Sequence, residues 1–169
     1  MGTKIYSQAR FNIESGDLIV WSNDNVRGFK AIMSHLIRFG TRSEYNHVGI
    51  ACWMEDTLYV LEAKKPVVRF IPLPEDESIY HIPLGIEWKS CYTQRLLDYE
   101  GSKYSTGDAV KAFLKMKLDD DSRFQCAELV TDFYNNLGMN LENTDTPSLL
   151  VKEIMKKRNV PIYFIESGD

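Results

Sequence analysis

The chain has 169 residues, a length that fits one domain spanning 1–169. Its composition, 44% hydrophobic and 26% charged, is ordinary for a globular protein with a core. The formal net charge of −4 gives no electrostatic case for nucleic acid or an anionic membrane as a partner.

The sequence also bears on the cellular location of the protein and on whether its cysteines form disulfides or bind zinc. No apolar run approaches the ~18 residues of a membrane span, and the N-terminal "MGTKIYSQARFNIESGD" has no apolar signal-peptide segment. We therefore expect a cytoplasmic protein, with a phage product or non-classical export as alternatives. Cys52, Cys91 and Cys126 form no CxxC pair, which disfavours a disulfide framework or a zinc site.

The first half of the chain predicts a sheet with one inserted helix. Apolar runs bounded by turn signals predict the strands, whereas residues 24–40 carry apolar residues at helical spacing. The predicted strands are 15–22, 47–53, 58–63, 67–73 and 79–84. A turn near Glu55–Thr57 joins the second strand to the third and predicts a hairpin.

The second half predicts mostly helices, with a strand at 160–166 closing the chain. The predicted helices are 87–101, 105–116, 119–138 and 146–158. The third takes Ser122 or Asp121 as its N-cap and Gly138 as its stop, and Pro147 lies in the first turn of the fourth. Together these elements predict one α+β domain with an antiparallel sheet.

Cys126 is the cysteine whose position suggests chemistry. In the predicted helix 119–138 it lies in the first turn, where unpaired N–H groups and the helix dipole favour a thiolate and can stabilise an oxyanion. The nearby carboxylates of Asp119, Asp120 and Asp121 would oppose ionisation. A cysteine on an amphipathic helix is also often a core residue, so both interpretations of Cys126 stay open.

A cysteine nucleophile needs a base, and the base needs an orienting group. Of the three histidines, His35, His47 and His81, only His47 begins a strand whose hairpin partner carries an acid. The pairing brings Glu62 or Ala63 close to His47. A carboxylate within "LYVLEA" is costly to bury unless paired, which favours a His47–Glu62 pair; the alternative is a solvent-facing Glu62 on an edge strand.

The order of five short segments resembles a known family. "SGDLIVW", "NHVGI", "LEA", "GSKY" and "FQCAELV", spread over about residues 13–150, resemble the circularly permuted papain-fold cysteine hydrolases. This NlpC-like superfamily includes the YiiX-like and lecithin–retinol acyltransferase-like proteins, in which the histidine strand precedes the cysteine helix. The chain departs from the pattern at Ala127, where serine often follows the cysteine.

The resemblance implies a permuted papain-like fold and a set of site residues. Cys126 would be the nucleophile, His47 the base and Glu62 the residue that orients the imidazole. Tyr104, in "GSKYSTGDA", would border the site and contact substrate or oxyanion. No metal and no cofactor is implied.

The resemblance also implies a cysteine peptidase or amidase that forms an acyl-enzyme on Cys126. The bond cleaved would be an amide, isopeptide, ester or thioester, in a peptide, a peptidoglycan-like stem peptide or a lipid acyl group. Two alternatives accompany this hypothesis. The protein could transfer the acyl group to an acceptor instead of water, or it could be an inactive binding module in which Cys126 and His47 are relics.

Overall fold

The sheet of this protein has six antiparallel strands, within the residues 9–22, 45–64, 67–102 and 122–167 that the computed structural model describes. The strands are β1 (Leu18–Ser22), β2 (Tyr45–Met54), β3 (Thr57–Lys64), β4 (Val67–Pro72), β5 (Ile79–Ile82) and β6 (Tyr163–Ile165). Their order is β4-β3-β2-β1-β5-β6, and every neighbouring pair is antiparallel. The strand that carries His47 therefore has a partner on each side.

Three helices accompany the sheet in the same described ranges: α1 (Ser90–Tyr99), α2 (Ser122–Asn136) and α3 (Pro147–Arg158). Sheet and helices confirm the prediction of an α+β fold with an antiparallel sheet. All six predicted strands and three of the five predicted helices occur where the sequence places them. The predicted helices at 24–40 and 105–116 lie outside the described residues, as do His35 and Tyr104.

Local sequence explains where α2 and α3 begin and end. Thr146 caps α3, because its hydroxyl accepts the Leu149 N–H at 3.2 Å, and Pro147 takes the first helical position. Just beyond α2, Gly138 adopts a φ of +86°, the left-handed conformation of a helix stop. Ser122 is the first described residue of α2, and Asp121, the other predicted N-cap, lies outside the described residues.

Apolar side chains cover both faces of the sheet, which is why its central strands are nearly continuous apolar runs. One cluster joins the sheet to α2 and α3 and includes Leu18, Val20, Val48, Ile50, Leu61, Cys126, Val130, Phe133 and Ile154. The other cluster contains Ile13, Ile19, Trp21, Ala51, Leu58, Val60, Leu73, Ile79 and Ile165. With core on both sides, polar residues on these strands are buried and need partners.

Asp17 and His81 form one buried polar pair that fastens β1 to β5. The Asp17 side chain is 2% exposed and its Oδ2 lies 2.7 Å from Nε2 of His81. The same carboxylate accepts the backbone N–H groups of Leu84 at 2.8 Å and Glu14 at 2.9 Å. The partner of His81 is therefore Asp17, and we assign His81 a structural role apart from the Cys126 site.

Removing the charge of Asp17 should weaken the fold. Asp17→Asn keeps the shape but loses one acceptor oxygen and the charge assistance of its bonds, so we expect a loss of about 1–2 kcal/mol in the free energy of unfolding. Urea denaturation followed by far-UV circular dichroism measures it. Asp98→Asn is the control, because Asp98 is exposed and, among the described residues, its one hydrogen bond is to Gln94 at 3.2 Å. Equal effects of the two substitutions would contradict a fastening role.

Candidate active site

His47 and Glu62 are joined by a short hydrogen bond across the β2–β3 hairpin. His47 Nε2 lies 2.6 Å from Glu62 Oε2. Gly49 is the direct partner of Glu62 in the ladder, so His47 is the diagonal neighbour on the same face. The Glu62 side chain is only 3% exposed and β4 covers the outer side of β3, which excludes a solvent-facing Glu62 on an edge strand.

Arg69 holds the other oxygen of the Glu62 carboxylate. Its Nε and Nη2 donate to Oε1 of Glu62 at 3.0 Å and 2.9 Å. Arg69 is the direct partner of Glu62 in the β3–β4 ladder, and its side chain is 47% exposed. The Glu62 carboxylate thus accepts hydrogen bonds from residues on both neighbouring strands, β2 and β4. Arg69 is not among the predicted site residues, because its place opposite Glu62 depends on the exact register of the β3–β4 hairpin, and the predicted strand ends would have put Val68 there instead.

Cys126 reaches His47 from the helix side of the sheet. It is the fifth residue of α2 as described; the residues before Ser122 lie outside the described part of the chain, so its predicted place in the first turn stays a prediction. Its side chain is fully buried in the core shared by the sheet and α2. A side-chain hydrogen bond nevertheless links Cys126 to His47. Since Nε2 of His47 faces Glu62, Nδ1 is the ring nitrogen left for the thiol.

The β1–β2 ladder has a bulge directly beside His47. The register between β1 and β2 shifts after the Trp21–His47 pair, because Ser22 pairs with Tyr45 and one residue of β2 has no partner in β1. A bulge bends the strand and re-aims nearby side chains. His47 is the last residue of β2 that pairs regularly with β1 before the bulge.

The electrostatics of the three groups favour an imidazolium. Burial by itself lowers the pKa of His47, but the hydrogen bonds and charges of Cys126 and Glu62 outweigh it and raise that pKa to about 9. Burial raises the pKa of Glu62, but the hydrogen bonds and charges of His47 and Arg69 prevail and bring it below its ordinary value. At neutral pH the His47–Glu62 contact is therefore an ion pair.

Trp21 covers the His47 ring and ties an acidic loop to the site. The two ring centroids are 5.2 Å apart, and the indole Nε1 donates to Oε2 of Glu77 at 3.0 Å. Trp21 is 9% exposed, so it separates one side of the imidazole from solvent. Trp21 is not among the predicted site residues, because its contact with Glu77 joins segments far apart in the chain.

The remaining chemistry-bearing residues fall outside this arrangement. Tyr104 is not among the described residues, so its predicted place at the border of the site stays a prediction. Cys52 is buried in the core and Cys91 is exposed on α1. Within the described ranges, no three His, Cys, Asp or Glu side chains are grouped so that they could hold a metal ion. No helix in those ranges is both long and apolar enough to cross a membrane.

Comparisons with known proteins give only a distant structural likeness. No family model matches the chain, and no curated protein matches it. Among solved structures it is similar to the metalloprotein YiiX (DUF1105) from Escherichia coli O157:H7, with a TM-score of 0.47 and 22% sequence identity. The alignment covers 91% of this chain and 88% of that one. YiiX belongs to the YiiX-like group named above, but a likeness at this level carries no argument about function.

Proposed function

We propose that this protein is a cysteine hydrolase of the permuted papain-like type, with Cys126 as nucleophile, His47 as base and Glu62 as the residue that orients the imidazole. One observation carries the proposal: a hydrogen-bonded chain in which His47 contacts both Cys126 and the buried carboxylate of Glu62. A nucleophile, a base and an orienting acid in contact are the arrangement of thiol-dependent acyl transfer.

The first half of the reaction would form an acyl-enzyme. The Cys126 thiolate attacks the carbonyl carbon of an amide, isopeptide, ester or thioester, and a carbon–sulfur bond forms as the carbonyl oxygen takes the π electrons. When that oxygen re-forms the double bond, the bond to the leaving group breaks. The leaving amine, alcohol or thiol takes the proton from the His47 imidazolium, which Glu62 holds in position.

The second half would release the acyl group. Neutral His47 takes a proton from water, and the resulting hydroxide attacks the thioester carbon. The carbon–sulfur bond breaks, and the products are a carboxylic acid, the Cys126 thiolate and a His47 imidazolium. The residue resemblance suggests peptides, peptidoglycan-like stem peptides or lipid acyl groups as substrates.

Acyl transfer is a second candidate because of one specific observation, the complete burial of Cys126. An acyl-enzyme shielded from water lasts long enough to meet a different acceptor. Turnover that requires an added amine or alcohol, after a burst equal to one acyl group per protein, would distinguish transfer from hydrolysis. A binding module would give neither burst nor turnover.

The test of the proposal is the reactivity of each cysteine toward iodoacetamide, resolved by peptide mass spectrometry. An ordinary thiol is less than about 1% ionised at pH 6. We expect Cys126 to react at least about tenfold faster than Cys91 at that pH, because His47, in contact with the thiol, can take its proton. Cys91, which is exposed, and Cys52, which is buried, are the built-in controls for an ordinary and a shielded thiol.

The same experiment measures access to the buried thiol. If Cys126 reacts no faster than Cys52 over pH 5–9, reagents do not reach it and the enzyme hypothesis fails in favour of a binding module. If Cys126 reacts but follows the profile of Cys91, it is an ordinary thiol and the dyad is wrong. Fast labelling of Cys126 alone would justify screening amide, ester and thioester libraries.

A further inference from the structure

Arg69 occupies a place in the site that no feature of the proposed chemistry yet uses. The Glu62 carboxylate is almost wholly buried, and its two oxygens are divided between different partners. Oε2 faces His47, whereas Oε1 accepts two N–H groups from the Arg69 guanidinium. A planar fork bonded twice to one oxygen restricts rotation of the carboxylate more than a single bond would.

The charges around Glu62 show what this contact must do. Facing it within the described residues are His47 from β2 and Arg69 from β4, and Cys126 in turn contacts His47. The carboxylate of Glu77 accepts from the Trp21 indole. Burial favours the neutral acid, so one imidazolium and one guanidinium together keep Glu62 ionised.

A protonated, neutral Glu62 could no longer stabilise a charged His47. A protonated carboxyl group has a hydrogen to donate and one weaker acceptor, so it no longer stabilises the His47 imidazolium or fixes which ring nitrogen carries the proton. The imidazolium is the partner that the Cys126 thiolate needs. The ionisation of Glu62 is therefore a requirement for the thiolate, and the guanidinium acts on that ionisation from outside the dyad.

We propose that Arg69 is a positioning residue of this site: by holding Oε1 of Glu62 it keeps the carboxylate ionised and turns Oε2 toward His47. The inference rests on the proposed function, since it assigns a role in that same chemistry. Arg69 itself touches neither Cys126 nor His47 in any contact described, so it acts through Glu62. Its half-exposed place on β4, the edge strand, makes it replaceable without opening the core.

The test is the pH profile of Cys126 alkylation in Arg69→Met. Without the guanidinium, burial should raise the pKa of Glu62, so the acid limb of the profile should move up by about one pH unit. Arg69→Lys keeps the charge but loses the fork, and its limb should move by less than half as much. Lys64→Met is the matched control, because Lys64 is an exposed cation on the same strand as Glu62 and should leave the limb in place.

The outcomes separate this inference from the proposed function. A wild-type Cys126 without fast labelling defeats the proposed function, and Arg69 then has no reaction to support. If wild-type Cys126 is reactive but the acid limb of its alkylation profile does not move in Arg69→Met, the positioning role is overturned. A lower maximal rate without a shift does not rescue it, because a loosened fold lowers the rate at every pH alike. An equal shift in Lys64→Met would also overturn it, since a general loss of positive charge would then be enough.

Discussion

Replacing His47 with alanine should lower the alkylation rate of Cys126 at pH 6 by about 100-fold or more, the scale on which a positioned acid–base group acts. The physical reason is the loss of the imidazolium that contacts the thiol. His47→Gln is the sharper companion variant, because its amide can still donate a hydrogen bond to Glu62 but cannot carry charge. Both variants should lose the reactivity. Retained fast labelling in either would show that the thiol is activated without His47.

The raised pKa of His47 gives this prediction a pH signature. The imidazolium persists until the pH passes about 9, so hydrolysis of any substrate should decline as pH rises through that value. The contribution of this pair to the stability of the fold should also decline as the pH rises. Because the folded-state pKa exceeds the ordinary 6.5, the pairing stabilises the fold fully below pH 6.5 and is lost as pH rises through about 9. The stability difference between wild type and His47→Gln should therefore shrink between pH 7 and pH 10.

The contact between His47 and Glu62 could be predicted because it is local. A single hairpin joins the two strands, its turn is visible as "EDT", and side-chain direction repeats every two residues. The buried acid within an apolar strand then pointed to a partner. Cys126 is distant in sequence from both, and its place beside His47 was implied by the resemblance rather than by periodicity.

The parts of the site that escaped prediction depend on long-range order. The sheet places β1 between β2 and β5, a neighbourhood that no local pattern encodes. Trp21 consequently meets His47, and the same arrangement brings Asp17 to His81. Full burial of Cys126 also depends on how α2 packs, so the sequence left its core and nucleophile interpretations open. In the structure the two are compatible, because a buried thiol bonds the histidine.

Gly49, the ladder partner of Glu62, lies where the two strands leave no room for a side chain. An added Cβ would come within 2.4 Å of Val60 Cγ1 and 2.9 Å of the Leu61 carbonyl oxygen, both on β3. Both separations are too short for real contacts, and the carbonyl oxygen belongs to the ladder itself. Glycine is needed here because the neighbouring backbone is so close, and not because the residue needs an unusual φ.

Gly49→Ala should therefore destabilise the protein by about 3 kcal/mol, the upper range for overpacking a closed core. The better strand propensity of alanine offsets only about 0.5–1 kcal/mol of that cost. Chemical denaturation gives the loss, and Cys126 labelling of the folded fraction should slow because Glu62 is pushed from His47.

Val60→Ala supplies the test of mechanism. It removes the nearer obstacle, Cγ1, but leaves the Leu61 carbonyl in place, so the double variant should recover part of the loss relative to the sum of the single effects. Strict additivity would mean that Val60 does not limit the space at position 49. Stability equal to wild type in Gly49→Ala would mean that the strands separate freely there. In that case the close approach of β2 and β3 at Gly49 is not what holds Glu62 against His47. The contacts of the pair with Arg69 and Cys126 would then have to set its geometry.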